Sequence, residues 1–173
     1  SKAVSLIDSV DSSITSNITL VTIRRNLKAV LGQFAQYEVC YGNMFHTQES
    51  SYNIVSTGFT IEGVTETVYL ADEVINRDKG RIFFFTYTEG GTPNIIKKNA
   101  GTVDYMHGEI LIDTVNILST VIANGVIEIQ AIPHSNDIVG LRDLYVKFDM
   151  TNTTINMVQD LIASGENTSG SRF

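Results

Sequence analysis

A chain of 173 residues with 43% hydrophobic and 18% charged side chains is long enough to bury a real core and too apolar for a disordered chain. Its net charge of −7 argues against nucleic acid, since phosphate binding needs a concentrated basic face; the pairs Arg24-Arg25 and Lys97-Lys98 are short, isolated and read as solvated positions. The single cysteine, Cys40, excludes an internal disulfide framework, and no apolar run approaches the roughly 20 residues of a membrane helix.

Residues 1–10 (SKAVSLIDSV) lack the charged start and unbroken apolar stretch of a signal peptide. The absent initiator Met and the character of SLIDSVDSSITSN give the expectation of a piece cut from a longer protein. Residues 14–25 (ITSNITLVTIRR) are dense in β-branched side chains, which favours a strand over a helix. Residues 26–34 (NLKAVLGQF) place Leu27, Val30, Leu31 and Phe34 at helical spacing, predicting a helix of about two turns limited by Gly32. Residues 35–41 alternate Tyr37, Val39 and Tyr41 against Gln36, Glu38 and Cys40, a strand in which Cys40 reads as a small core hydrophobe.

Residues 43–51 are polar and read as a loop, and residues 52–70 hold three short strand candidates around Gly58 and Gly63. Residues 71–80 are either a brief helical turn or a long loop. The run RIFFFTYT at 81–88 is the clearest strand; Phe83, Phe84 and Phe85 put aromatic rings on both faces, so it is expected to be central and covered on both sides. A glycine-rich turn at 89–93 leads to a return arm at 94–98. Two further strands flank His107-Gly108, and another pair is expected around Asn124-Gly125, because a type I′ turn needs positive φ at both central positions.

Residues 133–143 read as a polar connection and 144–150 (LYVKFDM) as a last strand with Leu144, Val146 and Phe148 on one face. A C-terminal helix is predicted near 153–163, with Ile155, Val158, Leu161 and Ile162 on one stripe, Asn152 or Thr153 as N-cap and Gly165 as stop. The predicted fold class is therefore mainly β (α+β at most), hairpin-rich antiparallel sheets with one or two short helices. It occupies a single domain over 1–165 with a flexible tail at 166–173.

Catalytic equipment is sparse. His46, His107 and His134 are far apart in sequence and form no HxH or HxxxH pair, so no metal site is expected, and phosphate loops and a GxSxG elbow are absent. Candidate carboxylates are Asp72-Glu73, Asp104 with Glu109, and Asp137; Asp104 and Glu109 flank a turn, where solvent or a nearby cation is the simpler partner. No catalytic residue, cofactor or metal is assigned.

The stretch AGTVDYMHGEILI at 100–112 is similar to a G-T-[VI]-D-Y-x-x-G-x-[VI]-x-[IL] pattern in the ring-forming baseplate wedge protein of T4-like contractile-tailed bacteriophages. Three further segments resemble the same family in the same order: IDSVDSSITSN at 7–17, FTIEGVTETVYLADE at 59–73 and AIPHSNDIVGLRD at 131–143. The resemblance covers most of residues 7–164 and implies the C-terminal portion of a structural virion protein. Such a subunit would self-associate as a homodimer or ring and hold other baseplate wedge proteins. It would reside in the tail baseplate after assembly in the host cytoplasm, with no nucleic-acid partner and no membrane insertion. Under the resemblance Gly101 would serve a backbone bend, Val103 and Tyr105 alternate faces of one strand, and Gly108 the turn.

Contact candidates are the last strand and the helix stripe, Leu144, Val146, Phe148, Ile155, Val158 and Ile162, though both could equally close the domain's own core. A second reading from another class is a carbohydrate- or receptor-binding β-module of a tail fibre or adhesin, with Tyr41, Tyr52 and Tyr87 as candidate platforms.

Overall fold

A computed structural model describes residues 9–10, 21–48, 51–134 and 154. The chain divides into two compact units, Ser1–Leu141 and Arg142–Phe173, and every strand described below lies in the first. Strands take 59% of the described residues and no helix reaches seven residues, so the fold is mainly β, as the alternations predict.

Nine strands run in chain order: β1 Ile23–Lys28, β2 Phe34–Cys40, β3 Ile54–Ser56, β4 Phe59–Ile61, β5 Tyr69–Val74, β6 Lys79–Tyr87, β7 Pro93–Asp104, β8 Glu109–Thr120 and β9 Val126–Ala131. All pairings between them are antiparallel, and the sheet order is β1-β9-β3-β5-β6-β7-β8-β2, with β4 added alongside the end of β8. The first and last strands of that order are consecutive in the chain and joined by the short turn at 29–33. The sheet therefore curls into a nearly closed barrel.

The interior is filled by side chains. Tyr105, Phe45, Phe84, Ile54, Leu70, Ile82, Ile110, Ile117, Ile127 and Ile129 are all essentially inaccessible and belong to one cluster. Burying a side chain of that size contributes about 1.5–3 kcal/mol, so this inward face carries most of the apolar driving force. The loop at 42–48 also participates: Phe45 is buried against Tyr41, ring centroids 5.0 Å apart, and its N–H donates to the Tyr105 carbonyl at 2.8 Å.

The β6 expectation holds. The strand lies between β5 and β7, with Ile82 and Phe84 pointing into the barrel and Phe83 and Phe85 forming a separate buried cluster on the opposite face. Opposite Phe83 the β7 strand bulges, because Ile82 pairs with Gly101 while Phe84 pairs with Lys97, leaving residues 98–100 to face one residue.

Several expectations are corrected. Residues 26–34 form no helix; Leu27 continues β1, and the segment then turns into β2. Pairing of β1 with β9 over six residues satisfies its backbone groups, and this outweighs the weak periodicity of a nine-residue segment interrupted by Gly32. Residues 71–74 are strand as well, completing β5, and only 75–78 turn. Asn124 and Gly125 do adopt positive φ, 64° and 71°, but inside a short 3₁₀ turn at Ala123–Gly125. The chain leaves that turn to place β9 between β1 and β3 instead of alongside β8.

Cys40 is exposed, since the alternation that buries Tyr37, Val39 and Tyr41 turns Cys40 outward. Val103 and Tyr105, two residues apart, face the same side and enter the same core, as a period of two requires. The predicted C-terminal helix near 153–163, the strand at 144–150 and the interface candidates Leu144, Val146, Phe148, Ile155, Val158 and Ile162 lie outside the described residues. No helix among the described residues is long and apolar enough to cross a membrane.

Candidate functional site

Three places bring polar or aromatic groups together. The first is inside the barrel. Asp72 on β5 is buried and accepts four hydrogen bonds: from the Asn53 and Ile54 N–H groups at 2.8 Å each, from Asn53 Nδ2 at 3.1 Å and from the Tyr105 hydroxyl at 2.7 Å. Tyr105 reaches it by laying its ring over Gly80, where a Cβ would collide with the phenol. Burial, followed by the Asp72 charge, pushes the Tyr105 pKa well above its ordinary value, so the phenol stays a donor. Four donors on one carboxylate make a saturated structural node with no oxygen turned towards a substrate.

The second lies on the outer surface of the hairpin around His107-Gly108. Gly108 has φ 67°, as the turn demands, and its backbone approaches Asn43 too closely to admit a Cβ. Asp104 and Glu109 are in register across the strands. Asp104 takes the Lys79 ammonium at 2.7 Å, the His107 N–H at 3.0 Å and His107 Nδ1 at 3.0 Å. The Lys79 hydrogen bond, then the His107 N–H, holds the Asp104 carboxyl far below the usual carboxylate range. Asp104 is thus paired with a cation, as its position beside a turn predicts. Asp104 and Lys79, with Glu38 and Glu109, line a cleft of about 320 Å³ in which the Asp104 carboxylate is paired with the Lys79 ammonium.

The third is the outer face of β5 and β6. Tyr69, Phe83, Phe85 and Tyr87 form a strip in which Tyr69 meets Phe85 at 5.7 Å and Tyr87 at 5.2 Å, and Phe83 meets Phe85 at 5.8 Å between ring centroids. Tyr52, from the loop before β3, caps one end, 5.5 Å from Phe83. Phe83 and Phe85 form the buried floor, while Tyr52, Tyr87 and Ile95 keep 44%, 52% and 48% of their surface exposed. An open groove of about 770 Å³ runs beside the strip, lined by Ser51, Tyr52, Glu73, Phe83, Ile95 and Lys98. Glu73 binds Arg81 at 2.9 Å.

The remaining candidates are dispersed. Tyr41 points inward and donates to the Ile129 carbonyl at 2.6 Å, so of the three suspected platforms only Tyr52 and Tyr87 are exposed. Asp72 and Glu73 point to opposite faces of β5, the first inside and the second in the groove, which separates that carboxylate pair. Asp137 lies outside the described residues. His46 and His134 come within 6.5 Å between ring centroids, and His107 and His134 are exposed. No group of three or more His, Cys, Asp or Glu side chains among the described residues is placed to hold a metal. Cys40 sits 3.6 Å from Glu38 Oε1, and its slight burial with that carboxylate raises the thiol pKa, the reverse of an activated nucleophile.

The aromatic strip is the feature sequence reading missed. Phe83, Phe85 and Tyr87 were visible at spacing two, but the addition of Tyr69 depends on its register opposite Phe85, and Tyr52 arrives from a loop. Compared with known proteins, the chain matches no family model, no curated protein and no solved structure.

Proposed function

We propose that the chain is a structural assembly module that works through its surfaces. Following the resemblance at residues 100–112, it would be a portion of a ring-forming wedge subunit in a contractile phage tail baseplate, self-associating and holding neighbouring wedge proteins. One observation carries the reading: apolar side chains are divided between a barrel interior filled from within and a second cluster outside, Tyr69, Ala71, Phe83 and Phe85. Beside that second, buried cluster stand the exposed rings of Tyr52 and Tyr87, and exposed aromatic side chains next to charged groups are what a protein contact uses. Sedimentation equilibrium tests the reading. Concentration-dependent self-association is expected, and a chain that stays monomeric at the highest soluble concentration overturns it.

The exposure of Tyr52 and Tyr87 also favours the second reading, a carbohydrate- or receptor-binding β-module of a tail fibre or adhesin. A glycan array separates the two: specific hits from a strictly monomeric chain would put the binding reading first.

A further inference from the structure

The turn between β1 and β2 is fastened to its neighbours at three points and still presents apolar side chains to solvent. The Ala29 N–H donates to the Gly125 carbonyl at 2.7 Å, the Gly32 N–H to the Ile117 carbonyl at 2.8 Å and the Val30 N–H to the Tyr37 hydroxyl at 3.1 Å. Val30 and Leu31 nevertheless stay 48% and 44% exposed. Phe34, the first residue of β2, is in register with Asn116 on β8 and is 68% exposed. Leu118 follows Asn116 on the same outer face, 47% exposed, while Ile117 between them is buried. The Gly32–Ile117 bond sets the turn beside Asn116 and Leu118, so the four side chains form one patch. Residues 29–37 (AVLGQFAQY) and 114–127 (TVNILSTVIANGVI) hold no charged side chain. Charge stands only at the rim, with Lys28 just before the turn and Glu62 accepting from Asn116 Nδ2 at 3.0 Å.

We infer that this patch is an isologous contact with a second copy of the chain. The inference rests on the assembly reading above and gives its self-association a surface. In an isologous contact the side chains nearest the twofold axis meet their own copies, so a charge there faces a like charge. A chain of net charge −7 therefore associates with itself best through an uncharged centre. The outer face of β5 and β6 carries Glu73 and Arg81, and the hairpin around His107-Gly108 carries Asp104, Lys79, Glu38 and Glu109. The patch at the β1–β2 turn carries none in its middle. Its four side chains leave on the order of 400 Å² open, within the roughly 300–600 Å² at which the largest patch of a monomer is often functional. A stable protein contact buries about 800 Å² per partner, a little over half of it apolar, so this patch meets most of that apolar share. The three hydrogen bonds of the turn also hold these side chains in place beforehand, which lowers the ordering cost of association.

Charge placed in the patch tests this. The whole chain, Phe34→Glu, Leu118→Glu, Leu31→Ser and Ile75→Glu are compared by sedimentation equilibrium, with circular dichroism to verify that each keeps its β signal. Ile75 is the control: it is exposed in the β5–β6 turn, where the Asp78 carbonyl takes the Tyr105 N–H, at the other end of β8 from Leu118. Phe34→Glu and Leu118→Glu are each expected to weaken dimerisation about tenfold or more, because the twofold axis brings every new carboxylate against its own copy. Leu31→Ser, which adds no charge, is expected to weaken it less, and it decides the matter if either strand substitution loses its β signal. Ile75→Glu is expected to leave it within about twofold, although it changes the net charge equally. Self-association unchanged in Phe34→Glu, Leu118→Glu and Leu31→Ser overturns this surface while leaving the assembly reading in place. Equal weakening by Ile75→Glu overturns it as well, since net charge alone would then govern. A wild-type chain that never associates overturns both.

Discussion

The Tyr105 hydroxyl donates a 2.7 Å hydrogen bond to Asp72 across the inside of the barrel, passing over Gly80 to reach it. This contact ties the start of the His107-Gly108 turn to β5, and through the Asn53 and Ile54 amides it ties both to β3. A carboxylate in an apolar interior is tolerable only while its oxygens are satisfied, so the three elements depend on one another. The network belongs to the fold, and its removal is the clearest way to measure that.

Tyr105→Phe keeps the ring but withdraws one donor from a buried carboxylate. A loss of about 1–3 kcal/mol is expected from urea unfolding at neutral pH. Asp72→Ala strands the Asn53 and Ile54 N–H groups and Tyr105 together, and a larger loss is expected. Equal stabilities for the wild type and both variants would contradict the role given to the node.

Gly80→Ala adds a methyl group where the Tyr105 ring lies. The ring must move away from Asp72 or the strand must shift, and overpacking of this kind costs about 1–3 kcal/mol. Combined with Tyr105→Ala, the same substitution is expected to lose most of its cost, because the obstacle is gone. Additive effects in the double variant would show that the collision is not with Tyr105.

Alkaline pH is expected to destabilise the fold through Tyr41 and Tyr105. Burial raises both phenol pKa values in the folded state, while the unfolded phenols ionise near pH 10. The contribution is therefore complete below about pH 10 and is lost as pH rises beyond it, since only the unfolded chain releases the protons readily. Urea midpoints from pH 8 to 11 measure the slope, and Tyr105→Phe is expected to flatten it.

Acid acts through Asp104 in the opposite sense. Its folded pKa is depressed by Lys79 and by the His107 N–H, so its contribution is present above the ordinary carboxylate range and disappears as pH falls below about 4. Asp104→Asn should make stability less dependent on pH between about 5 and 2. A variant that loses stability on acidification as steeply as the wild type would place the acid sensitivity elsewhere. Added salt should weaken the Asp104–Lys79 contact, since Lys79 is well exposed.

The strand alternations at 35–41 and 101–112 were legible because burying one face at a time imposes a period of two, and the run at 81–88 because a strand covered on both faces reads as a continuous apolar stretch; each becomes strand. The Asn124-Gly125 turn was legible for the same local reason, positive φ at two consecutive positions. Its pairing was not: β8 already has β2 on one side and β7 and β4 on the other, so the chain beyond the turn joins β1 and β3. Residues 26–34 misled because apolar spacing over nine residues fits a helix as well as a strand and its turn. In 43–51 the polar character concealed Phe45, which enters the core from a loop.

The sequence by itself determined the class: dense β-branched residues, alternation of period two and positive-φ turns commit the described chain to antiparallel strands. Those are local rules, acting over a few residues, and they can be read without knowing what a strand lies against. Only the tertiary structure decided that β1 and β2 nearly close a barrel. Only it sent Asp72 inward and Glu73 outward to different fates, and assembled Tyr52, Tyr69, Phe83, Phe85 and Tyr87 into one outer strip. Those outcomes depend on register between segments distant in the chain, where a shift of one residue would exchange the two faces of a strand.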